Sequence, residues 1–304
     1  MELTFLGTSA GVPTKERNLS ALALQSENHS GWMLFDCGEA TQHRILQSSL
    51  SLARLERIFI THLHGDHVFG IFGLLASRGM LGVDSPLELY GPPGLRELIE
   101  TPLRLSGLHL PFPLKIRQLR PKEELNLGEF ELTVIPLSHS ITSYAYLLRW
   151  KDRPGRFDPQ KAQSLGIPPG PDYGRLKKGE SLPLPDGRIV EPAEVLGPPR
   201  PGRRILIAGD NDRPDLLIPY GPVDLLVHEC TYTQEDFDRL SRRYMHTTAL
   251  ALGKAAQQMK ALRLAATHFS ARYDKNGLEK IEKEIRLSYE GELILAEDFL
   301  KISL

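Results

Sequence analysis

The chain has 304 residues, 41% of them hydrophobic and 25% charged, with no low-complexity tract, so it can bury the core of one or two domains or of a single large α/β unit. Its formal net charge of -1 excludes the global positive field that attracts polyanions, and no apolar run approaches the roughly 18 residues that span a bilayer. The opening MELTFLGTSAGVP lacks the basic-then-apolar plan of a secretory leader, and Cys37 and Cys230 form no pairing pattern, so two buried thiols in a reducing, cytoplasmic setting are expected.

Short β-rich runs open the chain. Leu3–Thr8, Ala21–Gln25 and Trp32–Gly38 read as strands closed by glycine or polar turns. Arg57–His62 reads as a buried strand delivering its last residue to a histidine cluster, and Gly70–Leu81 follows as a helix. Residues 87–91 (LELYG) and Leu132–His139 are further strands, the second ending on another histidine. Strands recur at Arg204–Asp210 and Val223–Cys230. His246–Lys260 has helical periodicity, with Thr247 or Thr248 as its N-cap. LRLAATHFS is a strand ending at His268, and GLEKIEKEIRLSY is a charged amphipathic helix. No internal repeat of short period is present. Strands and helices alternating in both halves predict an α/β fold of two sheets sandwiched between helices.

One region breaks this rhythm. Trp150 to Arg204 holds 11 of the 23 prolines and 8 of the 26 glycines, which rules out a long helix or a central strand there. Within it, Lys151–Arg188 carries eight Lys/Arg against five Asp/Glu. A solvated linker is the plain reading, yet Ile167, Tyr173 and Leu176 are apolar residues that a spacer does not need. Long structureless inserts in compact α/β units are uncommon and more often functional or disordered. A protruding arm is expected over residues 151–188.

The chemistry concentrates in HLHGDH, where His62, His64, Asp66 and His67 occupy four of six positions. Lone histidines such as His29, His43 and His109 read as packing residues. Four ligand-type side chains on one tight loop, with Gly65 allowing the turn, read as coordination chemistry. Imidazole and carboxylate suit zinc, with manganese or iron also compatible by geometry. Closed structural zinc sites are rich in cysteine, so a sulfur-free set points to a catalytic site with an open position. His139, Asp210 and His268 each follow an apolar strand, where α/β folds place their sites. Each alone reads equally well as a capping or packing residue. With the HLHGDH loop they complete the donor set of a dinuclear centre.

THLHGDH is the signature of the metallo-β-lactamase superfamily, and further motifs resemble its ribonuclease Z (tRNase Z) branch along nearly the whole chain. FLGTSAGVPTKERN resembles that family's P-x-K-x-R-N loop, carrying Pro13, Lys15, Arg17 and Asn18. DCGEATQ is similar to its D-C-G-E-G-T-Q segment, with Ala40 in place of a glycine. The 155–180 stretch resembles its flexible arm, HECTY and HTT resemble its H-E-A-T and H-S-T motifs, and THFSARY its last ligand motif. Asn211 stands where the family has threonine, beside the retained Asp210.

The resemblance implies an αββα four-layer metallo-β-lactamase sandwich over residues 1–304, with a protruding flexible arm at 151–188 that binds RNA. It implies two zinc ions per chain, one held by His62, His64 and His139, the other by Asp66, His67 and His268, with Asp210 bridging. Two such ions screen the charge of a phosphodiester undergoing in-line displacement. It also implies that Asp66 orients the nucleophile, and that His246, oriented by Glu229, protonates the leaving ribose 3′-oxygen. Read alone, His246 would be a polar residue at a helix start; His228 reads as structural. Lys15 and Arg17, with Arg175, Lys177 and Lys178 in the arm, are the expected phosphate contacts, which position RNA and do not read its sequence. A small basic patch on a neutral protein suits selection by shape. The expected activity is removal of the 3′ trailer from precursor tRNA by a homodimer in which one subunit's arm holds tRNA for the other's site. Two rivals remain: another hydrolase of this fold, such as a thioesterase or small phosphodiesterase, and a catalytically silent RNA-binding subunit. The first lacks the arm and the paired H-E-x-T and H-x-T motifs. The second loses ligands, whereas all seven positions are filled here.

Overall fold

The computed structural model describes residues 1–26, 30–241 and 244–304; His29 lies outside the described residues. In chain order the first half comprises β1 (Glu2–Gly7), β2 (Ser9–Ala10), β3 (Ala21–Gln25), β4 (Trp32–Phe35), α1 (Thr41–Leu46), β5 (Leu55–Phe59), α2 (Gly65–Val68), α3 (Ile71–Met80), β6 (Leu87–Gly91), α4 (Leu95–Leu105), β7 (Leu114–Gln118), β8 (Glu124–Asn126), β9 (Phe130–Pro136) and β10 (Tyr144–Trp150). A middle stretch holds α5 (Pro159–Ser164), α6 (Pro171–Lys177), β11 (Leu182–Pro183), β12 (Ile189–Val190) and α7 (Pro192–Val195). The remainder comprises β13 (Arg204–Ala208), β14 (Val223–Glu229), α8 (Gln234–Asp238), α9 (Ala249–Met259), β15 (Ala261–Thr267), β16 (Phe269–Ser270), α10 (Lys275–Arg286), β17 (Glu292–Leu295) and β18 (Lys301–Ser303). Among the described residues no helix is long and apolar enough to cross a membrane.

Two compact units emerge: residues 1–126, 132–148 and 204–304, and residues 127–131 with 149–203. The larger is built on two mixed sheets, ordered β18-β1-β3-β4-β5-β6-β7 and β17-β15-β14-β13-β10-β9-β8. Side chains alternate across a strand, and in the first sheet both faces are apolar because both are covered. Ala21, Ala23, Trp32, Leu34, Ile58 and Leu89 pack outward with Ile45 of α1, Ile71, Leu74 and Leu75 of α3, and Leu95 and Ile99 of α4. The alternate positions Leu22, Leu24, Phe35 and Phe59 are equally buried on the other face. There Phe59 stacks between Phe35 (5.1 Å between centroids) and Tyr90 (4.9 Å), and Tyr146 of the second sheet packs on both phenylalanines. The sheets therefore meet through an aromatic layer, where each pair adds about 0.5–1.5 kcal/mol beyond area burial. The second sheet's outer face, with Leu206, Leu226, Leu264 and Ala266, is covered by Leu252, Ala256 and Met259 of α9 and Ile281 and Ile285 of α10. This is the expected helix–sheet–sheet–helix layering.

In the smaller unit the prolines start helices. Pro159, Pro171 and Pro192 each occupy the first helical turn, where a missing N–H costs nothing. Asp158 caps α5 by accepting from the backbone of Gln160 and Lys161 at 3.0 Å each. Ala162, Ile167, Leu176, Leu182, Val190 and Val195 close a core of their own. Residues 151–188 fall within this unit, whose core continues past Arg188 because β12 and α7 supply Val190 and Val195.

Several strands stop short of the residues they were expected to carry. β5 ends at Phe59, β9 at Pro136 and β13 at Ala208, so His62, His139 and Asp210 lie on loops beyond the strand ends. α9 starts only at Ala249, where the Thr248 hydroxyl accepts from Ala251 N, leaving His246 on the preceding loop. His43 and His109, read as packing residues, are exposed.

Candidate metal centre

Parallel strands β5, β13, β14 and β15 bring their C-terminal loops to one end of the sandwich, the position α/β folds use for sites. Gly209, one residue before Asp210, is required there: a Cβ would lie 2.6 Å from Thr61 Cβ, inside the loop that leads to His62. The HLHGDH segment is not a simple tight loop. Gly65 starts the single turn of α2, which projects Asp66 and His67 toward the same side. No left-handed turn occurs at Gly65; its missing side chain instead makes room for the Phe69 ring.

Around Asp210 the structure gathers all seven expected ligand residues. Donor atoms of His62, His64, His139 and Asp210 lie within 4.8 Å of one another, as do those of Asp66, His67 and His268. Asp210 faces both groups. Its Oδ2 is 3.6 Å from His62 Nε2 and 3.9 Å from His139 Nε2, while its Oδ1 is 3.4 Å from both His67 Nε2 and His268 Nε2. Asp66 Oδ2 lies 3.4 Å from His268 Nε2 and 3.7 Å from His67 Nε2, and accepts from Gly11 N at 2.8 Å.

Outer partners fix which imidazole nitrogen carries the proton. His67 Nδ1 donates to Asp36 Oδ2 at 2.7 Å, and His139 Nδ1 to the Met245 carbonyl at 2.9 Å. Thr61 Oγ1 donates to Asp36 Oδ2, so it accepts from His62 Nδ1 at 3.0 Å. Thr231 Oγ1 donates to Glu229 Oε2, so it accepts from His268 Nδ1 at 3.1 Å. The Nε2 lone pairs of all four histidines therefore point inward. Two nitrogens face each other at 3.1 Å between His67 and His268, and two more at 3.1 Å between His139 and His64. Such gaps require a proton or a metal ion. His62 Nε2 is buried with no hydrogen-bond partner, an orphan that a metal ion satisfies. Burial, then the neighbouring His67 and His139, push the His62 pKa down and keep it a neutral ligand. Burial opposes charge on His67, but Asp210 and Asp36 lift it to about 10, so the pocket selects positive charge at that point. Burial raises the Asp66 carboxyl, yet the adjacent His268 and His67 hold it well below its ordinary value. The donor set, nitrogen and oxygen without sulfur, fits zinc.

Beside this cluster sits the Glu229–His246 pair. Glu229 Oε1 accepts from His246 Nδ1, Asn211 N and Thr247 N, each at 3.1 Å. Buried and fully bonded, the carboxylate stays ionised: burial raises its pKa, but the His246 charge and hydrogen bond pull it lower. Burial lowers the His246 pKa, and the charge and hydrogen bond of Glu229 outweigh that, raising it to about 9. His246 Nδ1 also lies 3.7 Å from Asp210 Oδ2. His228 lies buried behind, its Nε2 accepting from Asn211 Nδ2 at 3.2 Å, which agrees with a structural role.

The basic residues divide. Lys15 is exposed on a loop anchored by Gly11 N to Asp66, by Asn18 Nδ2 to the Glu39 carbonyl at 2.9 Å and by Asn18 N to Asp298 Oδ2 at 2.8 Å. Arg17, expected to contact phosphate, is turned inward: it is 8% exposed and its Nη2 donates to the Tyr273 carbonyl at 2.6 Å. Holding its loop onto β16 and the turn after it leaves its guanidinium little reach to solvent. In the smaller unit Arg175, Lys177 and Lys178 are exposed; Arg175 pairs with Glu180 at 3.2 Å, and Lys177 lies 5.0 Å over the Phe157 ring. Sequence reasoning missed Asp36, which orients His67 and Thr61. Its signal was the DCG stretch immediately after an apolar strand.

Comparison with known proteins places this site in a family. A family profile described as anti-Pycsar protein Apyc1 matches residues 1–153. Ribonuclease BN of Cronobacter sakazakii is 43% identical over 305 residues, covering 100% of both chains. Ribonuclease Z of a Cyanothece species is 42% identical over 308 residues, covering 100% of this chain and 96% of its own. Among solved structures, human tRNase Z, short form, has a TM-score of 0.71 at 29% identity, covering 100% of this chain and 99% of the other. The metallo-β-lactamase fold protein YhfI from Bacillus subtilis, at 19% identity and a TM-score of 0.69, covers 99% of this chain and 98% of its own and shares the fold. With curated relatives above 40% identity over its whole length and the same sandwich beneath them, the chain belongs to the ribonuclease Z family and has the metallo-β-lactamase fold.

Proposed function

We infer that this protein is a metal-dependent endoribonuclease that hydrolyses the phosphodiester at the 3′ end of precursor tRNA, removing the 3′ trailer and leaving a 3′-hydroxyl on the tRNA. The observation that carries the reading is the division of six donor residues about the two oxygens of Asp210, with the Glu229–His246 pair beside them. His62, His64 and His139 would hold one zinc ion, Asp66, His67 and His268 a second, and Asp210 both. When bound, such ions supply Lewis-acid stabilisation of the phosphate and lower the pKa of water.

The chain's own residues do the rest. Asp66, fixed by Gly11 N, orients the attacking water. Cleavage at the 3′ side of the tRNA puts negative charge on the departing 3′-oxygen, and His246 donates a proton there. Glu229 keeps that proton available and the ring in place. Lys15, Arg175, Lys177 and Lys178 contact the RNA backbone, with residues 151–188 as the clamp. Function as a homodimer, each arm serving the partner's site, follows from the resemblance to the family. A cytoplasmic location agrees with Cys37 and Cys230 being free, buried thiols. The test is His64→Ala, which removes one of four donors from its group: bound zinc and precursor cleavage should fall together. Full cleavage by a chain stripped of metal contradicts the reading.

A further inference from the structure

Four exposed apolar side chains stand on the loops that build the centre. Val12 follows Gly11, whose N–H holds Asp66; Ile141 lies two residues after His139; Tyr244 lies two before His246 and accepts that histidine's backbone N–H at 2.9 Å. The fourth, Phe69, is 56% exposed and two residues beyond His67. A full turn of helix, closed by Phe69 N donating to Gly65 O at 2.9 Å, sets its ring over Gly65. The fit is tight: a Cβ on Gly65 would lie 2.4 Å from Phe69 Cε2 and 2.6 Å from Cδ2. The ring is therefore pinned on the backbone between His64 and Asp66, with more than half of it facing solvent. The fold thus leaves a large apolar ring facing solvent beside its ligand residues.

We propose that Phe69 is a stacking platform for the base of a nucleotide directly flanking the scissile phosphate. This rests on the reading of the protein as an RNA phosphodiesterase and names how the same site holds its substrate. A base offers a π-face of any sequence, which suits a rim that must accept every tRNA and its varied trailers. The pinned ring costs little side-chain entropy on binding, because Gly65 and the helical turn already hold it.

The experiment compares wild type with Phe69→Ala, Phe69→Leu and Phe69→Tyr, using precursor tRNAs that carry an abasic nucleotide on one or the other side of the cut. Single-turnover cleavage, bound zinc and oligomeric state are measured for each. Phe69→Ala should lose roughly 5- to 100-fold in kcat/KM on the intact substrate, the range for one stacked base. Its zinc content should stay at the wild-type level, Phe69→Tyr should restore the rate and Phe69→Leu should not. On one of the abasic substrates wild type should fall to the level of Phe69→Ala, and the variant should fall no further. Restoration by leucine, additive losses on both abasic substrates, or a change of oligomeric state with unchanged cleavage by the resulting species would overturn the platform. Wild type failing to cut any precursor tRNA would instead overturn the ribonuclease reading itself.

Discussion

Glu229→Gln isolates the electrostatic half of the His246–Glu229 pair. The amide oxygen still accepts from His246 Nδ1, Asn211 N and Thr247 N, which keeps the ring orientation, while the amide NH2 donates to Thr231 Oγ1, whose own proton turns to the His268 carbonyl, 3.2 Å away. What disappears is the buried negative charge, the largest of the influences raising His246 to about 9. A histidine at that value is about 90% protonated at pH 8, whereas one at its ordinary value near 6.5 is about 3% protonated. The acid is therefore lost roughly 30-fold at pH 8; burial, which pushes the ring lower, and Asp210, which still raises it, shift that figure in opposite directions. The sign follows from a raised pKa: the acidic form is complete below the ordinary value and disappears as pH climbs through the raised one. The deficit should then shrink toward pH 6, where both proteins hold the proton. The assay is single-turnover cleavage of precursor tRNA between pH 6 and 9, normalised to bound zinc, with a nitrophenyl phosphodiester in parallel. That substrate's leaving group is already acidic, so its loss should be smaller. A pH-independent loss, equal on both substrates with zinc retained, would refute the assignment of His246 as leaving-group acid.

Replacing residues 152–202, whose ends are joined by Gly202 N donating to Asp152 at 2.9 Å, with a short flexible linker should weaken tRNA binding strongly and leave a small phosphodiester near wild type. Tight tRNA cleavage after that deletion would remove the clamp from the account. Changing Arg175, Lys177 and Lys178 to alanine should flatten the salt dependence of tRNA binding by about two to three in log–log slope, read from titrations at several salt concentrations, and an unchanged slope contradicts the contacts. Ala40→Gly should raise stability by about 1 kcal/mol, because Ala40 holds φ at 61°, where a Cβ is strained. Denaturant melts check this, and a lower midpoint would contradict it.

Much of the centre was legible because its chemistry is local. His62, His64, Asp66 and His67 fall within six positions, and His139, Asp210 and His268 each close an apolar run that could only be a strand. What escaped were properties fixed by tertiary contact. Arg17 reads as a surface cation until the Tyr273 carbonyl, 256 positions away, turns it inward. Asp36 gains its role only when β4 and β5 pair in parallel and bring Thr61 and His67 to its carboxylate. The strand limits were misplaced for a related reason: past Phe59 the Thr61 N–H donates to the Asp36 side chain at 2.7 Å, while its carbonyl accepts from Tyr144 N of the other sheet at 3.0 Å, so the ladder of the first sheet is left. β17 and β18, four and three residues long, are too short to leave a period in the sequence.

The central claim, a metal-dependent cut at the 3′ end of tRNA made by this site, is tested most directly by mapping products. A precursor tRNA with a 3′ trailer, incubated with zinc-reconstituted protein containing close to two ions per chain, should yield tRNA ending in a 3′-hydroxyl and an intact trailer fragment. Chelation should abolish that product and zinc restore it. Cleavage that persists after the ions are removed, or a fully loaded protein that leaves the precursor uncut, would contradict the account.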